Sequence, residues 1–155
     1  DRLKPKSIIV VSSAPQIRYP DCYGIDMAKL EGLVAFQAAL ELLKERDLYH
    51  IVESVYLKCK AQENLKDSEV VNFVTEIYAP FQPQEISDKI AEMLKDSSVK
   101  AEVKIIFQTV ENLHIACPKN LGDWYFTGDY PTPGGNRVAN RAFINFYEGK
   151  DARAY

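Results

Sequence analysis

Apolar residues along the chain fall into two patterns, continuous runs and helical stripes. Ser7 to Ser12 is a continuous β-branched run, the pattern of a strand buried on both faces of a parallel sheet. Val103 to Phe107 is a second short run of that kind. Elsewhere apolar positions recur every three or four residues. Leu30, Leu33, Val34, Phe36, Leu40 and Leu43 predict a helix opening near Ala28. Ile51, Val52, Val55, Tyr56 and Cys59 suggest a second, with a strand as the open alternative because the segment is β-branched. Ser68 is placed to cap a third helix through Val70, Val71, Val74 and Ile77, which Pro80 stops. Pro83 in a first turn, then Ile86, Ile90 and Leu94, mark a fourth helix ending near Lys95. Thr109 opens a short helix that stops before Pro118, and Asn136 to Tyr147 carries Val138, Ala142 and Phe146 on one stripe. Pro15 and Pro20 exclude regular structure until about Asp26, and 118–135 reads as a loop dense in Gly, Pro and aromatics.

A doubly buried strand needs parallel neighbours, each reached by a long crossover. The two strands here lie about ninety residues apart, so either they pair with each other or their partners lie in other sequence. The prediction is an α/β fold, and 155 residues suffice for one core but not for two typical domains.

Composition excludes more than it identifies. A net charge of −3 gives no reason to expect nucleic acid or an anionic membrane as partner, and no apolar run is long enough to span a bilayer. Three separated cysteines, Cys22, Cys59 and Cys117, form neither a disulfide framework nor a zinc site. They read as reduced thiols of a cytoplasmic protein, and neither a metal site nor a resident cofactor is expected.

The candidate chemistry is sparse. Thr132-Pro133-Gly134-Gly135-Asn136-Arg137 places two glycines before a helix, as an anion cradle would, but matches no nucleotide-binding fingerprint. A plain loop with an Asn cap is the favoured reading. Cys59 sits on a helical stripe as a core residue; Cys22, in a loop, has no histidine spaced to activate it. His114 reads as a packed or surface histidine. Trp124-Tyr125-Phe126 and Tyr130 form either a stacking platform or, as favoured, a long loop packed on the domain. The charged faces of the first and fourth helices, including Glu45, Glu85, Lys89 and Glu92, read as solvated surface.

Read as a string, Ser12-Ser13-Ala14-Pro15, Ile17-Arg18-Tyr19-Pro20 and Tyr23-Gly24-Ile25-Asp26-Met27 resemble the glutamine phosphoribosylpyrophosphate amidotransferases, the amidophosphoribosyltransferase family. Ile105 to Leu113 and Phe126-Thr127-Gly128-Asp129-Tyr130-Pro131-Thr132 are similar to later family segments, in the same order. The resemblance implies that 1–155 is the C-terminal portion of a type I phosphoribosyltransferase-like domain, with a mostly helical insertion at 38–82 characteristic of longer members. A contact for oligomerisation or regulation is one hypothesis for that insertion.

Such a parent transfers glutamine-derived nitrogen to phosphoribosyl pyrophosphate in the first step of purine synthesis, with magnesium on the diphosphate. The family's glutaminase uses an N-terminal cysteine, whereas this chain begins with Asp1. The family's adjacent pair of acids before a Thr-rich phosphate loop has no counterpart, since no two acidic residues are adjacent here. The isolated chain is therefore expected to be inactive, with no catalytic residue of its own and with the upstream glutaminase and transferase portions as partners, in a homo-oligomer.

By the same resemblance Ile17, Tyr23 and Leu33 wall an ammonia passage under a hood over the transferase site, which Arg18 and Asp26 anchor. Some members ligate an iron–sulfur cluster at the positions of Asp21, Gly122 and Tyr125; none is expected here, because those residues offer no thiolate. Ala28 stands where many relatives have proline, near their feedback nucleotide site. The alternative is a non-catalytic nucleotide-sensing or assembly module on the same remnant, and a salvage phosphoribosyltransferase is a third reading.

Overall fold

The two β-branched runs are strands, and they pair with each other. In the computed structural model, which describes residues 4–24, 27–119 and 122–154, β1 (Ser7–Ser12) and β2 (Glu102–Phe107) form a parallel pair running from Ser7↔Glu102 to Ser12↔Phe107. Side chains alternate across a strand, so this register puts Ile8 and Val10 on a face with Val103 and Ile105. Ile9 and Val11 share the other face with Lys104 and Ile106. A helix covers β2 on the first face only, where Ile105 is buried. On the second face Ile9 is 56% exposed, Val11 70% and Ile106 52%. The expected double burial of β1 is thus corrected: nothing among the described residues covers the second face, and on the first Ile8 is 38% exposed and Val10 49%.

The four helices between the strands are α1 (Val34–Glu45), α2 (His50–Ala61), α3 (Thr75–Tyr78) and α4 (Pro83–Leu94). The first opens later than its stripe suggests. Leu30–Gly32 forms a 3-10 turn and Leu33 is extended, so Leu30 and Leu33 are both buried before the helix begins. The second segment is a helix and not a strand, with Val52, Val55 and Cys59 buried at helical spacing. The fourth has Pro83 in its first turn and buries Ile86 and Ile90, as predicted. Lys89 departs from the solvated-face reading. It is 7% exposed and lies between Glu45 and Glu92, at 2.6 Å from each.

The third predicted helix is corrected most. Asp67–Glu69 is a 3-10 turn, 70–72 is not helical, and only Thr75–Tyr78 forms a helix. The side chain of Gln62, just after α2, and side chains further along the chain, at Asn136 and Asn140, satisfy this segment's backbone instead. Val71 N donates to Gln62 Oε1 (2.8 Å), and Gln62 Nε2 donates back to Val71 O (3.0 Å). Asn140 accepts from Phe73 N (3.2 Å) and donates to Val71 O (2.8 Å), while Asn136 donates to Val70 O (2.9 Å). Buried backbone groups left without partners are costly. Asn140→Ala is therefore expected to destabilise the fold by about 2 kcal/mol in urea unfolding.

After β2 come α5 (Val110–Ala116), α6 (Trp124–Thr127) and α7 (Pro133–Tyr147). Thr109 caps α5 by accepting from Asn112 N. The last helix starts at Pro133 rather than Asn136, because Thr132 takes the cap position and Pro133 suits a first turn. One core joins α1, α2, α3, α4 and α7. The 38–82 segment contributes Leu43, Val52, Val55, Val74 and Ile77 to it. No helix among the described residues is long and apolar enough to cross a membrane.

A polar cluster pins α2 to the end of α7. Glu148 accepts from Tyr56 OH (2.8 Å) and pairs with Lys150 (2.5 Å) and Lys60 (3.3 Å). Lys150, then Tyr56 and Lys60, hold its carboxyl at about 2, below the ordinary 4.5. A depressed acid stabilises only while ionised, so its contribution is complete above the ordinary value and is lost as pH falls through the lower one. Glu148→Gln is expected to flatten the fall in melting temperature between about pH 5 and pH 2.

Candidate functional site

Beyond the carboxyl end of β1 the chain is too rich in proline to continue a strand, and 15–20 runs as irregular backbone. Side chains at 16 and 18 turn to each other. Gln16 is buried and all four of its amide bonding positions are used: Nε2 donates to Pro83 O (2.7 Å) and Ser87 Oγ (2.8 Å), and Oε1 accepts from Arg18 Nε (3.1 Å) and Nη2 (2.7 Å). Arg18 also lies over the Tyr78 ring, 5.3 Å from its centroid. Burial lowers the pKa of Arg18, yet a guanidinium stays charged at neutral pH.

Three tyrosine hydroxyls stitch the loop that follows. Tyr78 OH donates to Arg18 O (2.6 Å), Tyr130 OH to Pro20 O (2.7 Å) and Tyr125 OH to Asp21 Oδ1 (2.7 Å). Tyr125 O accepts from both Arg18 N and Tyr19 N. Burial first, then the Asp21 bond, raises the Tyr125 hydroxyl to about 12, so it remains a donor. The aromatic segment thus packs on the domain, in line with the favoured reading, but Trp124–Thr127 is the short helix α6 and not loop.

Between this loop, the start of α4 and the carboxyl end of β2 lies a cleft of about 400 Å³. Gln16 and Arg18 line it from the loop, Gln84 and Ser87 from α4, Gln108, Thr109 and Glu111 beyond β2, and Phe126 and Thr127 from α6. Crevices outside the carboxyl ends of strands are where open α/β sheets hold ligands. A smaller cavity of about 140 Å³ lies between α2 and α7, and its Arg137 and Arg141 are paired with Asp67 and Glu63.

The residues singled out for the passage do not gather on this cleft. Ile17 is half-buried against the core, Leu33 is buried within it, and Tyr23 is exposed, edge-on to Trp124 at 5.6 Å. Arg18 does line the cleft, and Asp26 lies outside the described residues. Gln16 and Tyr78 escaped the sequence reading, while Tyr125 and Tyr130 entered it only as members of an aromatic segment. Only the Gln16–Arg18 spacing carried a signal, since alternate residues of non-helical backbone can share a side.

The other candidates resolve structurally. Gly134 and Gly135 lie in the first turn of α7, and a Cβ on Gly135 would stand 2.4 Å from Tyr130 Cγ. The glycine there admits a ring rather than a phosphate, and Asn136 is a brace for Val70 rather than the cap. Cys59 is buried, which pushes its thiol up to about 12. Burial, then Asp21, likewise raises Cys22. His114 pairs with Asp123 at 2.8 Å. At the three cluster-equivalent positions Asp21 accepts from Tyr125 and Gly122 has no side chain, a donor set that does not fit an iron–sulfur cluster. No group of three His, Cys, Asp or Glu among the described residues is arranged to hold a metal ion.

Comparison with known proteins agrees with the resemblance read from the motifs. Over 109 residues the chain is 31% identical to the amidophosphoribosyltransferase of Haemophilus influenzae, covering 64% of this chain. The match spans about a fifth (21%) of that curated relative. No family model matches, and no solved structure matches.

Proposed function

We propose that this chain is a C-terminal segment of an amidophosphoribosyltransferase, the enzyme that makes 5-phosphoribosylamine from phosphoribosyl pyrophosphate and glutamine. The observation that carries the reading is the 109-residue match to the Haemophilus influenzae enzyme. The three family-like motifs, found here in family order, support it. So does the sheet: a two-stranded parallel pair whose β1 exposes apolar side chains on both faces suits a piece of a larger sheet, whose remaining strands and helix layers the rest of the parent would supply.

On this reading the segment contributes shape and exclusion of water rather than reacting groups. Nitrogen attacks C1 of the ribose as pyrophosphate departs, and free ammonia must be kept from protonation. A cover held by three tyrosine hydroxyls and the Gln16 amide costs little reorganisation during that step. Ile17, Tyr23 and Leu33 remain the proposed passage wall and Arg18 an anchor of the hood. Nucleophile, phosphate loop and magnesium ligation belong to the rest of the parent, which we propose acts in the cytoplasm as a homo-oligomer.

The gene carrying this segment is expected to restore purine-independent growth to cells lacking their own amidophosphoribosyltransferase. A well-expressed product that does not restore growth would count against the reading.

A further inference from the structure

We infer that Tyr78, carried by the 38–82 segment, is a positioning residue: it sets the conformation of the 16–20 loop and, through that loop, how tightly nitrogen transfer is covered. Tyr78 acts from behind the loop. It is buried in the core, and the two residues it holds, Arg18 and Tyr19, line the cleft. Three contacts come from this one side chain. Its hydroxyl donates to Arg18 O (2.6 Å), its ring lies under the Arg18 guanidinium at 5.3 Å, and it stands edge-on to the Tyr19 ring at 5.4 Å. Burial raises the hydroxyl well above its ordinary pKa, so it stays a donor.

The same stretch of chain holds the neighbouring loop. Asn72 Nδ2 donates to Gly128 O (3.1 Å), and just past α3 Pro83 O accepts from Gln16 Nε2 (2.7 Å). Tyr125 O joins the two loops by accepting from Arg18 N and Tyr19 N. Behind Tyr78 the stretch is anchored by fully buried Ile77 and by the two bonds between Gln62 and Val71. The 38–82 segment, which the resemblance reads as an insertion, therefore reaches the loops that bound the cleft rather than standing apart from them. A loop fixed in advance costs no reorganisation during the reaction, whereas a small displacement costs rate and admits water. Tyr56 of the same segment supplies a contrast: its hydroxyl donates to Glu148 (2.8 Å), just beyond α7, instead. The functional half of this inference rests on the transferase reading above; the loop geometry does not.

Tyr78→Phe in the full-length protein keeps the ring, removes the hydroxyl and tests both halves. The backbone amides of Arg18 and Tyr19 should exchange with solvent about tenfold faster, while those of Phe143 and Ile144 in α7 keep their rates. With phosphoribosyl pyrophosphate and glutamine, kcat for pyrophosphate release should fall about tenfold and KM for glutamine should hold. Glutamate should then form in excess of pyrophosphate. Tyr56→Phe, which also loses one hydroxyl bond from this segment, should leave exchange at 18 and 19, kcat and the product ratio unchanged. Unaltered exchange at 18 and 19 in Tyr78→Phe would overturn the proposal, whatever the activity. Faster exchange with kcat and product ratio intact, or equal losses in Tyr56→Phe, would overturn the functional role. If the unsubstituted protein releases no pyrophosphate with glutamine, the transferase reading fails, and exchange alone decides whether Tyr78 positions the loop.

Discussion

Replacing Phe36 with alanine is expected to lower the unfolding free energy by about 4 kcal/mol, the upper part of the range for a buried phenylalanine. Phe36 is fully buried and stands edge-on to two rings of α7, Phe143 at 6.0 Å and Phe146 at 4.9 Å. Each edge-to-face pair adds about 1 kcal/mol beyond area burial, so the loss exceeds that of an isolated aliphatic side chain. The ring also joins α1 to the last helix of the chain. Denaturant unfolding followed by far-UV circular dichroism measures the change. Phe36→Leu, which keeps most of the volume, should recover about half of it.

Gly128→Ala should cost about 3 kcal/mol from two sources of the same sign. Gly128 is left-handed at φ +81°, which an L side chain adopts only with strain. Its added Cβ would also stand 2.9 Å from Asn72 Nδ2 and from Tyr19 Cζ. Asn72 cannot swing away freely, since its Nδ2 donates to Gly128 O and its Oδ1 accepts from Val74 N. Tyr19 cannot either, because it is buried against Tyr78. The loss should therefore appear both as a lower urea midpoint and as displacement of the 16–23 loop, read by hydrogen exchange at Arg18 and Tyr19. A variant as stable as the parent would show that this contact is not held as described.

Legibility in the sequence followed the range of the interactions involved. α4 was readable because its determinants are local: Pro83 fits the first turn and Ile86 and Ile90 repeat at helical spacing. The strands were readable as strands from β-branched runs. Their exposure was not, because burial depends on what covers a sheet rather than on the strand's own residues. Val70–Phe73 was misread as helix because its backbone partners, Gln62, Asn136 and Asn140, include groups nearly seventy positions away. The same holds for the loop after β1. Tyr78, Tyr125 and Tyr130 reach it across sequence separations of 60 to 110 residues, and no periodicity encodes that. Gly135 looked like part of a phosphate cradle because glycine before a helix serves both uses; only the Tyr130 ring beside it tells them apart. The cleft itself is assembled from four separated segments, so the motifs pointed to its loop but not to its walls.

One assay addresses directly the proposal that this chain is part of an amidophosphoribosyltransferase. Full-length protein carrying this segment, supplied with phosphoribosyl pyrophosphate and magnesium, should release pyrophosphate when glutamine is added, with glutamate formed in equal amount. Pyrophosphate release that depends on a free purine base instead, or none with either co-substrate, would contradict it.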